Sequence, residues 1–102
     1  MKQPAEIFDF DDYKAYLLWR EQNWDGRGMR QALAKAMGCQ PAHVSQILNG
    51  EERDFTPEQA LNAHELLSHS ELEGDYFIAM IQVARSGTVT LKEYYQRQMA
   101  KI

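Results

Sequence analysis

The chain has 102 residues, 44% of them hydrophobic and 11% aromatic, with a formal net charge of −4. That composition fits one compact helical domain over residues 1–102 and excludes a disordered segment. No apolar run approaches the roughly 18 residues that cross a bilayer, the N-terminus lacks the apolar core of a signal peptide, and the single Cys39 cannot form an intramolecular disulfide; the expectation is a soluble, cytoplasmic protein with no membrane association.

A first helix is expected to start near residues 9–11, where carboxylates suit the positive end of a helix dipole, and to fade at Gln22-Asn23. It carries Phe10, Tyr13, Tyr16, Leu17 and Arg20 on one face, with Leu18 and Trp19 pointing elsewhere. Trp24-Asp25-Gly26-Arg27-Gly28 reads as a loop because two glycines interrupt the periodicity. Trp24 reads as a lid over the core in preference to a ligand platform.

Residues 29–50, MRQALAKAMGCQPAHVSQILNG, form two short amphipathic helices joined by a bend. The first turns Leu33, Ala34 and Met37 inward and the second Val44, Ile47 and Leu48, which leaves Gly38-Cys39-Gln40 for the turn. This is the layout of a helix-turn-helix, whose second helix, here about 41–48, can lie in the major groove of DNA. Asn49-Gly50 then stops the helix, and Phe55 is expected to tuck back as an anchor.

Thr56-Pro57-Glu58-Gln59 opens a helix with a capping box and proline at its first position; Ala60, Leu61, His64 and Leu67 lie on one side. Ser70-Glu71-Leu72-Glu73 repeats the box. The helix it starts has two apolar stripes, Leu72, Tyr76, Ala79, Met80 and Val83 in one, Phe77, Ile81 and Ala84 in the other. After Ser86-Gly87, Thr90-Leu91-Lys92-Glu93 is read as a third box, starting a helix with Leu91, Tyr94, Tyr95, Gln98, Met99 and Ile102 on one face. No strand alternation appears, so the fold class is all-α, a compact bundle of about six helices.

Over residues 29–67 the chain resembles the phage-repressor-like, Xre-type helix-turn-helix family. Arg30 stands at the first position of that motif, Ala34 at its small residue, Gly38 at its turn, Val44 and Ile47 at the inward positions, and Asn49-Gly50 at its ending. More widely, Ile7-Phe8-Asp9-Phe10-Asp11-Asp12-Tyr13-Lys14-Ala15-Tyr16-Leu17, the motif, Tyr76-Phe77 and Tyr94-Tyr95 look like the N-terminal region of a largely uncharacterised bacterial family. Those proteins usually continue into a longer C-terminal domain. The resemblance implies a DNA-binding transcriptional regulator.

Carried over by position, it places phosphate contacts at Arg30, Asn49 and Arg53; Arg27 and Lys35, the other cations of residues 26–50, are further candidates by charge. Base-reading candidates are Gln40, Ala42, His43, Ser45 and Gln46, with Gln40 also the expected helix cap. Gln46 can pair bidentately with adenine, Ser45 can bond phosphate or base, and Ala42 can meet a thymine methyl. Pro41 and Ala42 stand where many relatives carry polar base-readers, so readout rests on few side chains.

The charge distribution is uneven. Residues 1–25 carry net −3, residues 26–50 carry three cations and no acid, and residues 51–102 carry net −4. The positive block coincides with the motif but is thin for a phosphate-binding surface. Two readings therefore stand: a regulator that binds double-stranded DNA, and a helix-turn-helix used as a protein-interaction adaptor. The helices over 71–102 exceed what one small core can use, which points to a homodimer through Phe77, Ile81, Leu91, Tyr94, Tyr95 and Met99.

Other chemistry is not expected. Cys39 lacks a cationic cluster or second cysteine, so it reads as a small half-buried apolar residue. His43, His64 and His69 lack metal-ligand spacing, and His64 reads as a hydrogen-bonded core histidine. Glu71, Glu73 and Asp75 complement a helix dipole. With no phosphate loop and no nucleophile–base pair, a non-enzyme without metal or cofactor is expected.

Overall fold

A computed structural model describes residues 3–102 and is all-α: a short 3-10 turn, Ile7–Asp9, precedes six α-helices, with no strand among the described residues. The helices are α1 (Tyr13–Gln22), α2 (Met29–Met37), α3 (Pro41–Leu48), α4 (Pro57–Leu66), α5 (Glu71–Arg85) and α6 (Val89–Ala100).

The chain enters differently from the sequence expectation. The Asp9 carboxylate accepts from the backbone N–H groups of Ala5 and Glu6 at 2.9 and 3.1 Å, so it serves the 3-10 turn and not α1. Phe10 is extended, and its carbonyl accepts from the Tyr76 hydroxyl on α5. Asp12 then caps α1 by accepting from the Lys14 N–H at 3.0 Å.

Both α2 and α3 end in left-handed glycine caps. Gly38 has φ 71°, and Cys39 N–H reaches back to the Ala34 carbonyl at 3.0 Å; Gly50 has φ 93°, and Glu51 N–H reaches the Gln46 carbonyl at 3.2 Å. The same back-bonding closes α4, where His69 N–H donates to the His64 carbonyl at 3.3 Å, but there Ser68 takes the left-handed position at φ 56°. A side chain at that φ is strained by roughly 1–2 kcal/mol.

The capping boxes at Thr56–Gln59 and Ser70–Glu73 are both formed. The third is displaced: Thr88, not Thr90, caps α6, its Oγ1 accepting from Leu91 N–H at 3.2 Å. Thr90 lies within the first turn.

One contiguous core joins Tyr13, Tyr16 and Leu17 of α1, Leu33 and Met37 of α2, Val44 and Ile47 of α3, and Phe77, Met80 and Ile81 of α5. Phe55 anchors the α3–α4 connection as expected, 1% exposed and tilted on Tyr13 with ring centroids 5.9 Å apart. Helix α2 packs on α3 and α4, α4 on α5, and α1 on α3 and α5. Ala34, Ala60 and Ala63 are buried, small side chains that let packed helices approach.

Several apolar positions fall outside this core. Ala63, not Leu61, fills the inward face of α4, and Leu61 is exposed. Leu72 and Ala84 are exposed at opposite ends of α5. Helix α6 packs on α5 and buries no residue completely.

Candidate nucleic-acid interface

Helix α3 is seated by Val44, Ile47 and Leu48, all buried. Pro41, Ala42 and Gln46 are left exposed and His43 and Ser45 half-buried. Pro41 is the first helical residue, where a missing N–H costs nothing. Gln40 occupies the N-cap position with extended backbone, but its side chain makes no capping hydrogen bond, contrary to expectation. The longer glutamine amide is left unused where a serine or aspartate would close back on the backbone.

The outward row is therefore Gln40, Ala42, Ser45 and Gln46, followed by exposed Asn49 at the C-cap. His43 is partly withdrawn: its ring meets Phe55 edge-on, centroids 6.4 Å apart.

The segment after α3 is fastened to α1 by contacts that sequence spacing could not announce. The Tyr13 hydroxyl donates to Asp54 at 2.7 Å and accepts from Phe55 N–H at 3.4 Å. Burial first, then the Asp54 hydrogen bond, pushes the Tyr13 phenol far above its usual range. Lys14 Nζ donates to the Glu51 carbonyl at 3.1 Å and lies 3.8 Å from the Asp54 carboxylate. Together these set the direction in which the chain leaves α3.

The cations divide into two groups. Arg30 forms a fork with Glu21 at 2.8 and 3.0 Å, and that hydrogen bonding raises the guanidinium pKa further. Its charge is spent on tying α2 to the end of α1. Arg27, Lys35 and Arg53 are exposed and form no ion pair among the described residues. Glu51 and Glu52 are exposed directly beyond the α3 cap. Of the four cations proposed to meet phosphate, three are thus uncommitted.

Other candidates are placed as follows. Cys39 is half-buried, and burial pushes its thiol up, away from the reactive thiolate. His64 is not the hydrogen-bonded histidine expected: its buried Nδ1 has no partner, and Gly74 of α5 comes so close that a Cβ there would sit 2.3 Å from the ring. His69 is the bonded one, its Nε2 2.6 Å from the Tyr16 hydroxyl.

Of the proposed dimer residues, Phe77 and Ile81 are fully buried within the single chain and offer no surface. Of the second stripe of α5, Phe77 and Ile81 are consumed by the rest of the fold and Ala84 stays exposed. Leu91 and Tyr94 are 44% and 48% exposed, while Tyr95 and Met99 are half-buried toward α5.

No helix among the described residues is long and apolar enough to cross a membrane. No protein family, curated protein or solved structure matches the chain.

Proposed function

We propose that α2 and α3 are a helix-turn-helix that lays α3 in the major groove of double-stranded DNA, and that the protein is a transcriptional regulator working as a homodimer. The observation that carries the reading is the division of α3 into two sides. Val44, Ile47 and Leu48 are wholly buried, whereas Gln40, Ser45, Gln46 and Asn49 form no side-chain hydrogen bond among the described residues. Three unpaired cations, Arg27, Lys35 and Arg53, accompany them.

In this reading Gln46 hydrogen-bonds the adenine edge, Ser45 bonds base or phosphate, and Ala42 meets a thymine methyl. Gln40 reaches base or sugar from the helix entry. Backbone positioning falls to Lys35, Arg27, Arg53 and Asn49, with Arg30 contributing only its donors left over from Glu21. Few base contacts per chain make two copies necessary for a specific site. Leu91 and Tyr94, with exposed Val89 and Ile102, are the α6 surface available for that pairing.

Selection from a random duplex library at low salt tests this. The expected result is an enriched two-fold-symmetric sequence, and Gln46→Ala is expected to lose preference at one base pair per half-site, worth about 1–3 kcal/mol of discrimination. Recovery of no enriched sequence overturns the specific-DNA reading.

A protein-interaction adaptor is the second reading. The observations that favour it are the exposed Pro41 and Ala42 at the start of α3 and the commitment of Arg30 to Glu21.

A further inference from the structure

A depression of about 250 Å³ opens where the loop before α1 meets the end of α5 and the beginning of α6; none of its lining residues belongs to α2 or α3. Its apolar base includes Met80 and Val83, and its rim carries Asp11, Asp12 and Lys92. Asp11 and Lys92 form no ion pair, with each other or with any other described residue. Two unlike charges, each without an ion pair, thus border one concavity of mixed polar and apolar lining. A ligand that pairs with both as ions is a zwitterion.

The frame is already fixed. Phe10, just before Asp11, gives its carbonyl to the Tyr76 hydroxyl, and Asp12, just after it, caps α1 at 3.0 Å with one carboxylate oxygen. On the other wall the Ser86 hydroxyl donates to the Gln82 carbonyl at 2.7 Å, and Thr88 caps the helix that carries Lys92. These bonds fix the backbone that carries Asp11 and Lys92. The volume lies below the roughly 300–1,000 Å³ of drug-sized sites, which limits the ligand to amino-acid size.

We propose that this depression binds a free α-amino acid with an aliphatic side chain. The ammonium sits on Asp11 and the free oxygen of Asp12, the carboxylate on Lys92, and the side chain covers Met80 and Val83. The proposal is independent of what α3 binds.

The test is a titration of the isotope-labelled protein with L-leucine, followed by backbone amide shifts, to about 20 mM, where a millimolar site is nearly saturated. Leucine is expected to shift the amides of Asp11, Val83 and Lys92 saturably. Leucinamide, which lacks the carboxylate, and N-acetyl-leucine, which lacks the ammonium, are each expected to bind at least about tenfold more weakly. Lys92→Gln should abolish the preference for leucine over leucinamide, and Asp11→Asn the preference over N-acetyl-leucine. Both residues are exposed, so both variants keep the fold. No saturable shift at these amides, or equal binding of the three compounds, overturns the proposal.

Discussion

Arg20 Nη1 donates to the Tyr16 hydroxyl at 2.8 Å, and the same hydroxyl lies 2.6 Å from His69 Nε2. Where the hydroxyl's own proton is donated to Nε2, the ring is neutral. Burial first, then Arg20 and His64, push the His69 pKa down from 6.5 to about 4, with Glu73 opposing. The neutral form is the one the fold favours, so its contribution is complete above pH 6.5 and is lost as pH falls toward 4. The urea midpoint is expected to drop across that window, and His69→Gln is expected to flatten this part of the profile; an unchanged slope in the variant would show that another group is responsible.

Gly74 acts by absence of volume. A Cβ there would lie 2.3 Å from His64 Cε1 and 2.4 Å from its Nδ1, so Gly74→Ala forces the ring out of its place between α4 and α5. Overpacking of this kind costs about 1–3 kcal/mol. With His64→Ala as background the same change should instead gain up to about 1 kcal/mol, the difference in helix propensity. A double-mutant cycle by chemical denaturation reads both signs, and destabilisation in both backgrounds would deny the contact.

At the scale of elements, the legible features were the local ones. Thr56-Pro57 and Ser70 announce their helices because a cap and its partner lie three residues apart, and Gly38 announces the bend. The misplaced signals failed where two candidates competed. Asp9 and Asp12 both suit a helix start, as do Thr88 and Thr90, and only the Tyr76–Phe10 bond and the path of the α5–α6 turn decide between them.

Face assignments failed for a different reason. Periodicity says that Phe77 and Ile81 are buried but not by what, and here α1, α4 and the 3-10 turn surround α5 before any second copy can. The contacts that tie α2 and the segment after α3 to α1 were not legible at all: Tyr13–Asp54, Lys14–Glu51 and Glu21–Arg30 join different elements with no spacing rule to link them.

Helix α6 follows from the same reasoning. It is capped and regular, yet without a buried residue its stability comes from one neighbour. Its amides are expected to exchange with solvent at least about tenfold faster than those of α2 and the middle of α5. If two copies pair through Leu91 and Tyr94, that difference shrinks as protein concentration rises. Protection in α6 equal to α2 in dilute solution would contradict its placement as an outer helix.

As a whole molecule, the protein is close to the size expected of a dense globule, with a Cα radius of gyration of 13.2 Å. It carries net −4, and the surface proposed to face DNA must work against that background. The two scales meet in the cations proposed to meet phosphate, of which three per chain are unpaired once Arg30 is assigned to Glu21.

Salt dependence of duplex binding by fluorescence anisotropy counts them directly. Each neutralised phosphate contributes about −0.9 to the slope of log K against log salt, so a slope near −3 per bound chain is expected. Lys35→Gln should make it shallower by about 1, and Glu21→Gln, which releases Arg30, steeper by about 1. Binding whose slope is flat and indifferent to both substitutions, or no binding at about 50 mM salt, would contradict the placement of α3 in a DNA groove.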